Sequence, residues 1–266
     1  MKRKNLNKIR FSLILLLTLI NCRDFSQPVM AQSPMQIGPN NSKIRTQLSK
    51  KQESGSDKGR PTRRKAMGSR NDCPATKIPL TALIPENKVG KVVEKNPTFW
   101  FFIPYKPNRM LKGEFILQDA AHNEVYRADL SIKKGGGIFG INLPSETSLK
   151  KDKIYQWYFK LYCDAPGDAL QAYRDKSSIA IYVRGWVQRV VLQARHEKQL
   201  NAASSSPSEC MAIYAENDIW YSALTKLAKL RQANPQNQVF ARYWLQLLSD
   251  VDLQELSNMP IVGNIN

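Results

Sequence analysis

The sequence predicts an α+β protein: a seven-stranded β-sandwich followed by a small C-terminal helical region built round an αα-hairpin. Two observations carry that prediction. Seven short runs of strand chemistry fall between residues 78 and 184, and the apolar spacing then changes from two residues to 3.6 over the C-terminal part.

The chain opens on Lys2, Arg3, Lys4, Lys8 and Arg10, followed by the apolar run 11–20. A basic start with a core of that length reads as an export signal and is short for a membrane span. Val29, Met30 and Ala31 set the expected cleavage after Ala31, so residues 1–31 are the expected signal peptide. The alternative is a lipoprotein cut before Cys22, weakened by Asn21 where a small residue is expected. Either route places the mature chain outside the inner membrane, in the periplasm or beyond it.

Residues 32–77 are rich in Ser, Asn, Gln, Pro and Lys, and they show no apolar period. Such a stretch cannot bury enough surface to offset its ordering entropy, so a disordered basic linker is expected. Its end holds Arg60, Arg63, Arg64, Lys65 and Arg70, the densest cationic run after the leader. These residues are the candidates for contact with an anionic membrane or a wall polymer.

The expected sandwich covers 78–185, with strands at 78–84, 98–105, 114–119, 125–130, 138–143, 154–163 and 179–184. Run 98–103 is apolar on both faces, which suits a central strand. Ala120, Ala121, His122 and Asn123 read as a hairpin loop between two alternating runs. Leu149 stands six residues before Tyr155, which resembles the tyrosine corner of fibronectin type III domains, where the Tyr hydroxyl pins the corner backbone. Together these features give an immunoglobulin/fibronectin-III-like sandwich. The aromatic set Phe99, Trp100, Phe101, Phe102, Tyr155, Trp157, Tyr158 and Phe159 is expected to fill its core rather than form a glycan platform. Lys133 to Gly137 lacks the spacing of a phosphate loop and reads as a strand connection.

The helical region is 186–266. Trp220, Ala223, Leu224, Leu227 and Leu230 mark one helix, capped by Asn217 or Asp218. Val239, Phe240, Tyr243, Trp244, Leu247 and Leu248 mark a second that packs on it. Val187, Val190, Val191 and Ala194 suggest an earlier helix, and 252–256 a last turn.

Cys22 leaves with the leader, so Cys73, Cys163 and Cys210 allow one intrachain bridge, expected between Cys73 and Cys163 with Cys210 a plain buried thiol. No cysteines have metal-knuckle spacing, and neither His122 nor His196 lies near one. No metal, cofactor or catalytic residue is therefore expected.

Several segments together resemble one family: Leu80 to Asn87, Pro97 to Phe101 with Ile103 to Tyr105, Tyr155 to Phe159 ending at Cys163, Gly185 to Val190, Ile219 to Leu224 and Trp244 to Leu248. This pattern is similar to the domain of unknown function 928 family, found mainly in cyanobacteria. The resemblance runs from about residue 59 to the C-terminus and implies the architecture without a mechanism. Lys65, Ala66 and Met67 stand where the family usually has more glycine, and the C-terminus lacks a cysteine to pair with Cys210.

The formal net charge is +18, from 40 Lys and Arg against 22 Asp and Glu. It divides into +5 on 1–31, +8 on 32–78 and only +5 on 79–266, so the charge argues against nucleic acid as a partner of the folded part. The expected function is a non-catalytic envelope or periplasmic protein that presents a surface for assembly. The alternatives are a glycan-binding protein, or a hydrolase using Glu86, Glu94, Asp119 and Glu124.

Overall fold

The computed structural model describes residues 60–66, 73–105, 111–133, 136–162, 180–203 and 206–265. Nine strands form within them: β1 (Thr81–Ala82), β2 (Val89–Val92), β3 (Thr98–Ile103), β4 (Leu111–Gln118), β5 (Glu124–Ile132), β6 (Gly137–Asn142), β7 (Ile154–Tyr162), β8 (Ile181–Arg189) and β9 (Ile261–Ile265). The helices are α1 (Ala194–Ala202), α2 (Pro207–Glu216), α3 (Trp220–Ala233) and α4 (Gln238–Ser249), with a 3-10 turn at Gln254–Leu256. The fold is α+β with two mixed sheets, one ordered β1-β3-β6-β9 and the other β2-β8-β7-β4-β5.

The seven predicted runs all contain a strand; β2 and β9 are additional. Both are short, and each pairs parallel with a partner remote in sequence, β2 with β8 and β9 with β6. No local turn chemistry marks such a pairing, which is why the alternation in the sequence does not show it. Because β9 belongs to the four-stranded sheet, the C-terminal region supplies a strand as well as helices.

The sheets face each other through aromatic side chains. Phe99 and Phe101 of β3 lie 4.9 Å from Phe115 and 4.6 Å from Phe159 between ring centroids, and Phe101 meets Trp157 edge-on at 5.4 Å. All six residues of β3 are buried, as a central strand requires. The opposite face of β3 receives α3, where Trp100 Nε1 donates to Thr225 Oγ1 at 3.0 Å. Seven of the eight aromatic residues singled out in the sequence are buried core; Tyr158 points away from it.

Two local expectations are met in detail. Lys150 N donates to the Tyr155 hydroxyl at 3.0 Å, which pins the corner before β7. The β4–β5 hairpin closes on Asp119, whose carboxylate accepts from Ala121 N and Asn123 N at 2.9 Å each, while His122 takes a left-handed φ of 63°.

The helices require two corrections. No helix begins near Val187: β8 continues its period-two alternation through Ile181, Val183, Gly185 and Val187, all buried, and α1 starts only at Ala194. Spacings of three and four among β-branched residues mimicked a helical face there. Neither Asn217 nor Asp218 caps α3, whose N-cap is Ile219. Asp218 instead pairs with Lys88 at 2.7 Å and Lys91 at 3.7 Å, tying the start of α3 to β2. The predicted αα-hairpin of α3 and α4 is present, and Asn237 caps α4 by accepting from Val239 N and Phe240 N.

Helix α3 is locked into the sandwich by its first residues. Trp220 Nε1 donates to Leu83 O at 2.8 Å. The Tyr221 hydroxyl accepts from Trp157 Nε1 at 2.8 Å and donates to Trp186 O at 3.2 Å. Burial pushes the Tyr221 phenol well above its ordinary range. Gly90 makes room for this ring, since a Cβ there would stand 2.4 Å from Tyr221 Cε2.

The end of the expected linker is part of the fold. Arg63 N and Arg184 O, and Arg184 N and Arg63 O, are bonded at 3.0 Å each. Ala66 N donates to Leu80 O at 2.9 Å and Ala82 N donates to Arg64 O at 2.8 Å. Segment 60–66 thus joins β8 of one sheet to β1 of the other. Its pairing with the strands is made by backbone groups, to which a reading of side-chain periodicity is blind. Among the described residues, no helix is long and apolar enough to cross a membrane.

Candidate functional site

The feature of the surface that calls for a chemical explanation is the outer face of the five-stranded sheet. Strand alternation places Val183, Gly185 and Val187 of β8 inward, so Tyr182, Arg184, Trp186 and Gln188 point outward. The register sets Tyr158 of β7 beside Arg184, and Gln156 beside Trp186. Tyr158, Tyr182, Arg184 and Trp186 are all half-buried, and the Tyr158 and Tyr182 rings lie 6.5 Å apart.

Segment 60–66 completes this face with two more arginines. The Arg63 guanidinium carbon stands 4.3 Å from the centre of the Tyr182 ring, and that of Arg60 stands 4.9 Å from the Trp186 ring. Trp186 Nε1 donates to Pro61 O at 3.4 Å, and Asn87 N donates to Thr62 Oγ1 at 3.1 Å. Arg63 and Arg184 are directly opposed in a hydrogen-bonded antiparallel bridge, which puts their side chains on the same face. No salt bridge among the described residues joins Arg60, Arg63 or Arg184 to a carboxylate.

Toward β5 the same face changes character. Glu114, 9% exposed, sits between Arg127 Nη1 and Lys160 Nζ, the latter at 2.7 Å. Arg127 also grips Glu124, and the hydrogen bonds it donates to that carboxylate hold its guanidinium still more firmly protonated than usual. Burial, with Glu114 nearby, pushes the Tyr162 phenol up. This end is internally neutralised, so the unbalanced positive charge belongs to the β8 end.

The five cationic candidates from the sequence divide by role. Arg60 and Arg63 lie on the aromatic face. Arg64 is buried, donates to Val251 O and pairs with Glu86 at 3.1 Å, so it holds the helical region to the entry segment. Lys65 pairs with Glu255 at 2.9 Å. Arg70 lies outside the described residues. Arg184, Tyr182 and Trp186 were not singled out by the sequence; the alternation of β8, carried past residue 184, is the signal that would have found them.

The four carboxylates considered for acid and base work each answer a separate partner: Glu86 meets Arg64, Glu94 accepts from Ser222 Oγ at 2.6 Å, Asp119 closes its own hairpin and Glu124 meets Arg127. The side-chain amide of Asn123 holds Asp119 below the usual carboxylate range. His196 is buried with Nε2 3.9 Å from Glu216, and His122 occupies the hairpin loop. Among the described residues no three of His, Cys, Asp and Glu gather as a metal site. Lys133 to Gly137 connects β5 to β6, with 134–135 outside the described residues.

Neither Cys73, half-buried, nor Cys210, fully buried, is a free thiol. That corrects the expectation of Cys210 as a plain thiol. Cys163, the expected partner of Cys73, lies outside the described residues, as does Cys22.

Comparison with known proteins adds one finding. A family model described as Domain of Unknown Function (DUF928) matches residues 65–261. Comparison with curated proteins finds no match.

Proposed function

The chain belongs to the domain of unknown function 928 family, and from that premise we propose that it is an exported, non-catalytic interaction module of the cell envelope. It engages its partner through the outer face of the five-stranded sheet. The observation that carries this reading is the set of three arginines on that face: Arg60 and Arg63 lie over aromatic rings, Arg184 is bridged to Arg63 through the backbone, and among the described residues none of the three meets a carboxylate. Surface cations commonly pair or extend into solvent; here they are fixed at the sheet by stacking and by a backbone bridge.

Export draws support from two sources. The leader reads as a signal, and the absence of a free thiol at Cys73 and Cys210 suits a compartment in which disulfides persist. We read the paired sheets as an open form of the immunoglobulin/fibronectin-III-like sandwich, for which the Tyr155 corner speaks. The hydrolase alternative draws no support from Glu86, Glu94, Asp119 and Glu124, each bound to its own local partner.

Site-specific photocrosslinking tests the proposal. A crosslinker at Tyr158 of the exported protein should capture an envelope component, and one at Lys151, an exposed turn position, should not. Equal capture at both positions, or none at Tyr158, would contradict it.

A further inference from the structure

The outer face has a more specific property, and the inference drawn from it rests on the interaction-module reading above. We infer that Arg63 and Arg184 form an oxyanion site that takes the carboxylate of an acidic sugar chain.

Three observations converge on this pair. The bridge roots Arg63 and Arg184 directly opposite each other on the outer face, with the Arg63 guanidinium over the Tyr182 ring, and like charges so placed are destabilising until an anion offsets them. Among the described residues neither is paired with a carboxylate, whereas Arg64 and Lys65 beside Arg63 both are. Arg184 also carries a buried Nε with no hydrogen-bond partner. A buried donor without an acceptor is costly, which leaves Arg184 short of partners, and the terminal Nη groups of a guanidinium receive a planar carboxylate in two parallel bonds.

The surroundings favour a sugar acid over a lipid headgroup. Tyr158 lies across from Arg184 on β7 while Arg63 flanks it on the other side, so ring, fork and second cation follow one line across the strands. Two strand spacings amount to about 10 Å, enough for a linked pair of sugar rings. The outer face of Tyr158 offers an apolar seat to one sugar while the next places its carboxylate on the arginines. Arg60 over Trp186 adds a third cation beside the line, two residues along β8. A bilayer surface would need cations and apolar side chains projecting from the molecule, and these side chains are half-buried.

The test is calorimetric titration of the exported protein with an oligogalacturonate, with a neutral malto-oligosaccharide, with inorganic phosphate and with phosphatidylglycerol vesicles. The oligogalacturonate should bind, weaken with added salt and be displaced by high phosphate; the neutral chain should not bind. Arg184→Gln and Arg63→Gln should each weaken binding about ten-fold, the loss of one charge-assisted pair, while Lys151→Gln leaves it unchanged. Arg184→Lys, which keeps the charge without the fork, should also bind more weakly, with circular dichroism confirming that each variant is folded. Unchanged affinity in both Gln variants, equal binding of the neutral chain, or absence of oligogalacturonate binding overturns the inference. Binding to vesicles in place of the oligogalacturonate also overturns it. If Tyr158 still captures an envelope component in any of those cases, the interaction-module reading stands and only its ligand class falls.

Discussion

Replacing Tyr221 by Phe tests how the helical region is held to the sandwich. The hydroxyl accepts from Trp157 Nε1 at 2.8 Å and donates to Trp186 O at 3.2 Å, and Trp157 is fully buried. Removing one oxygen leaves the indole N–H without an acceptor, at a cost of about 1–3 kcal/mol. The Trp186 carbonyl suffers less, because a carbonyl has two lone pairs and tolerates the loss of one partner. A total of about 2 kcal/mol is expected, which at a urea dependence of about 2 kcal/mol/M lowers the midpoint by about 1 M. The assay is urea unfolding followed by tryptophan fluorescence. The control is Tyr105→Phe, which removes an exposed bond of 3.3 Å to Pro74 O and should change stability by less than about 0.5 kcal/mol. A Tyr221→Phe protein no less stable than the control would refute the claim that this hydroxyl joins α3 to both strands.

Gly185→Ala should destabilise strongly, because its Cβ would stand 2.4 Å from the Trp157 ring and 2.7 Å from Ile84; a melting temperature within a degree or so of the parent would contradict that packing. The Asp119 carboxyl should titrate below an ordinary Asp, and Asn123→Ala should move it upward, as followed by NMR of the side chain. Its depressed value makes the loop contribution present above the ordinary carboxylate pKa, near 4, and lost as pH falls through its own lower value. Alkylation of the unfolded, unreduced protein without residues 1–31 should leave Cys73 and Cys210 unmodified; label on both, detected by peptide mapping, would contradict the absence of free thiols there.

The sequence was most legible where neighbours in the chain are neighbours in space. The β4–β5 hairpin announces itself through Asp119 to Asn123, the corner through Leu149 and Tyr155, and the α3–α4 pair through its 3.6-residue period. Contacts that join distant segments were hidden. Val89 to Val92 and Ile261 to Ile265 carry too few side chains to display an alternation, and their parallel partners lie far away. The apparent helix at Val187 shows that spacing alone cannot separate the two periods in a run of β-branched residues. For the candidate site, charge density drew attention to Arg60 and Arg63 but could not tell them from Arg64 and Lys65. What distinguishes them is the bridge to β8, the stacking on Tyr182 and Trp186, and the carboxylates that meet only the latter two.

The functional reading depends most on the basic run lying fixed on the sandwich. Amide hydrogen exchange at Arg63 and Ala66 measures this directly. Their N–H groups are bonded to Arg184 O and Leu80 O, so both should exchange slowly, with protection comparable to residues of β8. Exchange of both at the rate of an unstructured peptide would mean that the arginines are not held at the face, and the proposed site would not exist.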